Sequence, residues 1–269
     1  MATQATHATS TAGPTIEDRL APTERPPGPS VMRQDWRQLL FLHWEVPPEA
    51  LRPLIPAPLS VDTFEGRAYV GVTPFVVRGA RPRLAPPVPG LSNFDELNVR
   101  TYVHLDGREP GVWFFSLDAS NLPAVLAARA TFRLPYCYAD MEVIARGIRP
   151  HYRSARRRFG RRPATFEASA QLGVSLGIAE PGTLTHFFVE RYLLYTQWGP
   201  GRLKVGQVHH RPYPLQQADV DLLDYQTLLR ADGLPPLQGT PSGPPHVLFS
   251  PGVDVEVFAP RDPLPRRNL

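Results

Sequence analysis

Apolar and polar residues alternate with period two along most of the chain, which predicts a strand-rich fold. The pattern is densest from Phe94 to Met141. Over Asn98 to Leu105, Val99, Thr101, Val103 and Leu105 share one face and Arg100, Tyr102 and His104 the other. Asp106-Gly107 supplies the positive-φ pair of a tight hairpin. Gly111 to Asp118 returns as a strand rich in aromatic residues. Leu122-Pro123 opens a short Ala-rich helix to about Ala130, with proline where a missing N–H costs nothing. Leu134-Pro135-Tyr136 ends the connection and another strand follows.

The rest of the chain reads similarly. Trp36 to Val46 is a strand, with Trp36, Gln38, Leu40, Leu42 and Trp44 on one face and Arg37, Leu39, Phe41, His43 and Glu45 on the other. Pro47 to Ile55 is a short helix that Pro53 limits. Leu59 to Phe64, Ala68 to Val77, Tyr138 to Arg146, Ile148 to Arg158 and Ala164 to Leu172 are further strands, and Tyr152, Ser154 and Arg156 share a face. Arg78 to Leu91 reads as a long proline- and arginine-rich loop. Thr183 caps what reads as the longest helix, Leu184 to Gln197, on which Leu184, Phe188, Arg191 and Tyr195 share a face. Arg191, so placed, requires an acidic partner; a structural ion pair and a clamp for a substrate carboxylate both fit. Arg202 to Arg211 is a strand and Leu215 to Leu229 an amphipathic helix. After a proline-rich loop, His246 to Phe249 and Val253 to Phe258 pair as the last strands.

Composition narrows the class. A chain of 269 residues with 42% hydrophobic residues can bury a core without staples. Residues 1–32 are polar and rich in Thr, Ala and Pro, and read as a disordered tail. Residues 33–260 form one domain, and 261–269 a frayed C-terminal tail. No basic-then-apolar leader and no apolar run near the roughly 18 residues of a membrane span is present, so the expectation is a cytoplasmic protein with no membrane partner. The single cysteine, Cys137, excludes an internal disulfide. The net charge of +4 and the run Arg153 to Arg162 raise the question of nucleic acid, but no stacking platform or recognition helix accompanies the run. A solvated hairpin is the better reading, with no nucleic-acid partner. His209 and His210 are adjacent on a strand and point to opposite faces, and the chain has no HxH, HxxxH or HExxH. No Walker loop and no G-x-G-x-x-G after a strand is present. No metal and no cofactor is expected.

The segments HWEVPPEALRPLIP, NVRTYV, PGVWFFSLDA, LPY, ERYLLYT and HVLFSPGVDVEVF together resemble the YqjF-like family of uncharacterised bacterial proteins, over roughly residues 34 to 260. That family resembles acetoacetate decarboxylase in fold. In the decarboxylase an arginine lies fourteen residues before the leucine of an A-L-R-x-x-x-P motif; here Ala50-Leu51-Arg52 is the motif and Arg37 holds the arginine position. Phe94-Asp95-Glu96 matches the aromatic-x-Glu that carries the active-site glutamate. Ala128-Arg129-Ala130 and Pro135-Tyr136-Cys137 stand where the decarboxylase has Gly-Arg-Glu and Pro-Lys-Lys. Tyr136 therefore replaces the Schiff-base lysine.

Tyrosine forms no iminium, but it can hydrogen-bond a carbonyl oxygen or move a proton. The resemblance implies an α+β, β-rich fold: an antiparallel, partly closed β-barrel of the acetoacetate decarboxylase-like type, with helices outside and a small-molecule pocket in its lumen. One functional reading is an enzyme, or degenerate enzyme, acting on a small oxo-acid or carbonyl compound. Arg37 would hold the carboxylate, Glu96 would move a proton and Tyr136 would polarise the carbonyl. Arg100, Tyr102, Trp113, Phe115, Ser116, Arg129 and Arg191 complete the candidate binding set. The other reading is a non-catalytic binder of a small hydrophobic or aromatic ligand. A third moves Schiff-base chemistry to Lys204, the only lysine in the chain. A homo-oligomer is compatible with the sequence.

Overall fold

The computed structural model of the chain describes residues 13–160, 162–236 and 245–265. Residues 1–12 of the expected tail, Arg161 of the arginine run, 237–244 of the proline-rich loop and 266–269 lie outside the described residues. Among the described residues the chain runs through α1 (Ile16–Leu20), β1 (Met32–Val46), α2 (Pro48–Leu51), β2 (Ser60–Val61), β3 (Ala68–Pro82), β4 (Phe94–Leu105) and β5 (Arg108–Ala119). It continues through α3 (Leu122–Thr131), β6 (Tyr136–Arg146), β7 (Arg149–Arg158), β8 (Thr165–Gly177), α4 (Leu184–Val189), β9 (Leu193–Gln197), β10 (Leu203–His209), β11 (Leu215–Asp224), α5 (Gln226–Ala231) and β12 (His246–Val257).

The strands form one sheet, in the order β10-β9-β5-β6-β7-β8-β11-β12-β1-β3-β4-β2. Two further pairings, β10 with β12 and β4 with β5, close it on itself. One ring runs β12-β1-β3-β4-β5-β9-β10. A larger one leaves β5 through β6, β7, β8 and β11 and rejoins β12. Both share β12, β1, β3, β4 and β5. The partly closed, largely antiparallel sheet expected from the sequence is therefore present, with two parallel contacts, β5–β6 and β5–β9.

This topology explains why the shared strands are apolar on both faces. Leu40, Leu42, Val70, Val72, Leu97 and Val99 enter one core, on the side of the larger ring. Leu39, Phe41, Phe75, Val77, Val112 and Leu117, from the alternate positions, enter a second core inside the smaller ring. A strand between two cores must be apolar on both sides. The hairpin between β4 and β5 turns at Asp106 and Gly107, with φ of 50° and 72°, as their sequence predicts. Asn121 caps α3, its side chain accepting from the Ala124 N–H at 3.0 Å.

Five expectations are corrected. Residues 13–31 are ordered: α1 carries a capping box, with Thr15 and Asp18 bonding reciprocally, and Arg19 reaches the buried Asp62 at 2.7 Å. The Leu184 helix stops at Val189, and Glu190 takes φ −87°, ψ 72°. The chain then re-enters the sheet as β9, where Leu193 and Tyr195 face one core and Leu194 the other. Strand pairing with β10 and β5 overrides the helical period there. Leu215 to Asp224 is also a strand, paired with β8 and β12, and only Gln226–Ala231 is helical. The two final strands are one, β12, which pairs along nearly all of β1. The expected loop from Arg78 begins only after β3, which runs on to Pro82. No helix among the described residues is long and apolar enough to cross a membrane.

Candidate functional site: two cavities divided by one strand

The smaller ring encloses a cavity of about 80 Å³, to which every strand of that ring except β12 contributes. Glu96, Asn98 and Arg100 project into it from alternate positions of β4, and Tyr136 enters from the start of β6. Tyr136 Oη donates to Glu96 Oε2 at 3.0 Å. Glu96 is 5% exposed, and no arginine or lysine among the described residues lies within ion-pair distance of it. Burial pushes its carboxyl up to about 8, and the Tyr136 hydrogen bond offsets only part of that. Glu96 is therefore neutral at pH 7. Burial and the neighbouring Glu96 also raise the Tyr136 phenol well above its ordinary value.

Four polar atoms on residues lining this cavity are buried without a partner among the described residues: Thr73 Oγ1, Asn98 Oδ1, Arg100 Nε and Arg191 Nη2. Buried polar atoms in folded proteins are almost always satisfied, so these four mark a place built for something polar. Among the described residues Arg100 has no carboxylate within ion-pair distance; one Nη donates to the Phe188 carbonyl at 3.2 Å. Arg191 lies in the link between α4 and β9. Its acidic partner is Asp62, at 2.9 Å. Asp62 also receives Arg19, so the cluster of two arginines and one aspartate keeps a surplus positive charge. Burial alone would raise the Asp62 carboxyl, but Arg191 and Arg19 overcome this and hold it below its usual range. Tyr102 packs beside the cavity and spends its hydroxyl on the Phe188 carbonyl at 3.0 Å.

Arg37 is not at this cavity. Its guanidinium donates to the carbonyl oxygens of Trp36 and Val253 and pairs with Asp254, near the surface. The reason is a β-bulge. Gln38 adopts φ 56°, and the β1–β3 register shifts between Arg37 and Leu42. Alternation changes phase there, so Trp36, Leu39 and Phe41 all line the cavity while Arg37 turns outward. Lys204 lines neither cavity and pairs with Asp262 at 2.8 Å.

Trp113, Phe115, Ser116 and Arg129, expected in the same pocket as Glu96, line a different cavity. It measures about 730 Å³ and lies on the opposite side of β5. Phe114 and Leu134 form part of both walls. At its base sits a buried network. Arg156 Nε donates to Asp118 at 2.8 Å, one Nη to Asp232 at 2.8 Å and the other to Ser116 Oγ at 2.8 Å. Ser116 in turn donates to Asp232, and Ser154 to Asp118 at 3.3 Å. Burial raises the Asp118 carboxyl, and Arg156 limits the rise to about 6. Burial also pushes the Cys137 thiol, on this wall, up to about 12, which keeps it protonated.

Asn98, Arg156, Thr73 and Asp232 lie outside the candidate set. Asn98 was legible, because extending the Arg100 face of β4 back in steps of two reaches Asn98 and Glu96. Arg156 was placed correctly with Tyr152 and Ser154 on one face, but it was assigned to a solvated hairpin. Thr73 and Asp232 carried no local signal.

The fold is similar to that of acetoacetate decarboxylase-like proteins. The acetoacetate decarboxylase of Legionella pneumophila superposes with a TM-score of 0.59 at 12% identity, covering 95% of this chain and 97% of its own. An acetoacetate decarboxylase-like enzyme from Sphingomonas wittichii gives 0.59 at 10% identity, covering 88% and 94%. The enduracididine biosynthesis enzyme MppR, complexed with the condensation product of pyruvate and imidazole 4-carboxaldehyde, gives 0.57 at 14% identity, covering 87% and 90%. In sequence, the uncharacterized protein YqjF of Bacillus subtilis is 40% identical over 209 residues, 78% of this chain and 84% of YqjF. The chain belongs to DUF2071, a family of uncharacterized conserved proteins, which it matches over residues 33–254.

Proposed function

We propose that the cavity inside the smaller ring binds a small oxo-acid or related carbonyl compound, and that Glu96 exchanges a proton with it. The observation that carries this reading is the convergence of unspent donors from two cationic side chains, Arg100 Nε and Arg191 Nη2, on the cavity that holds a neutral glutamic acid. A ligand carboxylate would satisfy the donors in a charge-assisted way. A carbonyl oxygen would lie against the Glu96 carboxyl, with Tyr136 holding that carboxyl in place. A side chain whose pKa is about 8 has both protonation states within reach near neutral pH, which suits a general acid–base. MppR, of the same fold, holds pyruvate in one of its complexes, which is in keeping with a small oxo-acid. The proposed chemistry proceeds without an imine, since the resemblance puts Tyr136 at the lysine position and Lys204 pairs with Asp262. Arg100 takes the carboxylate-holding role expected of Arg37.

One observation favours a second reading, binding without chemistry: the remaining walls are mostly apolar, from Trp36, Leu39, Phe41, Phe75 and Phe114. Proton exchange separates the two. 2-Oxobutyrate in deuterated buffer, followed by proton NMR, should lose its C3 protons faster with the protein present. Glu96→Gln should slow that exchange by about 10²-fold or more while the ligand still raises the melting temperature. Binding without exchange in the wild type would leave the non-catalytic reading. If no small oxo-acid in a panel shifts the melting temperature, the ligand class is wrong.

A further inference from the structure

The larger cavity takes no part in the function just proposed, and its construction is unlike that of the Glu96 cavity. Its walls are aromatic, with Trp113, Phe115 and Phe159. Its mouth carries Arg129 and Arg133, neither of which has a carboxylate within ion-pair distance among the described residues. Each instead lies near an aromatic ring, Arg129 at 5.2 Å from the centre of Phe159 and Arg133 at 5.8 Å from that of Trp198. One nitrogen of Arg129 donates to the Tyr136 carbonyl at 2.6 Å, which fixes the guanidinium at the rim with its other N–H groups unspent.

Two of the rim residues have left-handed backbones without being glycine: Arg133 at φ 55° and Phe159 at φ 65°. Bulky residues rarely adopt this conformation, and such strain concentrates at ligand sites. Phe159 is held by Gly160, where a Cβ would fall 2.2 Å from Arg156 Cδ; only glycine lets this turn close over the buried arginine. The Arg156–Asp118–Asp232 network thus braces the turn that presents Phe159. Unpaired arginines at the mouth, three aromatic walls and a braced floor make a built recess of drug-sized volume.

We propose that this cavity is a second ligand site, separate from the Glu96 cavity, for a flat aromatic molecule bearing one anionic group. The ring system lies among Trp113, Phe115 and Phe159, and the anion, a carboxylate or a phosphate, is held by Arg129 and Arg133.

Calorimetric titration of the full chain with 2-naphthoate, 2-naphthyl phosphate and the neutral 2-naphthylmethanol tests this. At least one of the two anions should bind saturably at one per chain, at least tenfold tighter than the alcohol. Which anion binds tighter identifies the natural head group. The double variant Arg129→Gln/Arg133→Gln, at exposed side chains, should weaken anion binding at least tenfold with its melting temperature unchanged. Glu96→Gln should leave anion binding within twofold. The proposal fails if neither anion binds at millimolar concentration, if the alcohol binds as well as the anions, or if the double variant binds like the wild type. It fails equally if Glu96→Gln abolishes binding, which would move the ligand to the other cavity. The comparison of anions with alcohol uses only the wild type, so it decides the matter even if the double variant does not fold.

Discussion

The two cavities flank the same strand, and each holds a buried carboxyl group, yet the two groups behave differently. Glu96 meets a tyrosine, and its carboxyl rises to about 8. Asp118 is equally buried but touches Arg156 at 2.8 Å, and it rises only to about 6. Desolvation favours the neutral acid in both places, and a directly bonded cation recovers part of the loss in one. One carboxyl, facing a small lumen, is therefore raised to about 8. The other is part of a brace, in which a single guanidinium serves two aspartates and a serine. The arginines near Glu96 are instead held by Asp62 or by backbone carbonyls, with donors left over.

The largest effect should come from removing the brace's only cation. Arg156→Leu leaves Asp118 and Asp232 buried together without compensation. Breaking a buried pair in this way costs about 3–5 kcal/mol. Urea denaturation at pH 7 should show the loss. Part of it should return below pH 5, where the Asp118 carboxyl takes up a proton. A variant as stable as the wild type would mean that the network contributes little.

Next comes the pH dependence of the lumen. The folded pKa of Glu96 lies above the unfolded value, so the folded chain binds more protons between about pH 4.5 and 8. Stability then falls as pH rises through that window. The contribution is about 3 kcal/mol between pH 4 and 7, at roughly 1.4 kcal/mol per pH unit. Glu96→Gln, which cannot ionise, should be the more stable protein at pH 9, and its stability curve should lack that slope. Parallel curves for the two proteins would place the Glu96 pKa near normal.

Tyr136→Phe should have a smaller effect. It removes the one hydrogen bond that favours the ionised carboxylate, so the Glu96 titration should move further upward. The lost bond costs about 1 kcal/mol. NMR titration of a Glu-labelled sample reads the shift directly, and a downward movement would contradict the assigned bond.

Much of this was legible in the sequence. Strands flanked by two cores announce themselves as apolar runs, and the Asp106-Gly107 turn fixed one hairpin without ambiguity. The resemblance put Glu96 and Tyr136 in one candidate site without pairing them, and a hydrogen bond joins the two. The failures have physical causes. Leu184 to Gln197 and Leu215 to Leu229 carry a helical period, but in a closing sheet the unpaired edges of β5 and β8 recruit part of each segment as strand. The division of the candidate residues between two cavities was hidden because alternation assigns faces without saying what lies beyond each face. Trp113, Phe115 and Ser116 were expected beside Glu96, yet β5 stands between them.

Arg37 is the sharpest case of a local irregularity defeating a pattern, and it supplies the smallest expected effect. A strand without a bulge would have put Arg37 in phase with Leu39 and Phe41, on the lumen side. Gln38 in the left-handed region inserts one residue and exchanges the faces, so Trp36 takes the lumen position instead. The guanidinium then pairs with an aspartate whose side chain is 82% exposed. Such a pair is screened by solvent, and Arg37→Ala should change stability by about 1 kcal/mol or less. More tellingly, it should leave oxo-acid binding in the lumen within twofold, whereas Arg100→Ala should weaken it at least tenfold. Isothermal titration of both variants with the same oxo-acid checks this. The reverse ranking would mean that the ligand reaches Arg37 through a rearranged bulge, and that the carboxylate site belongs where the resemblance first put it.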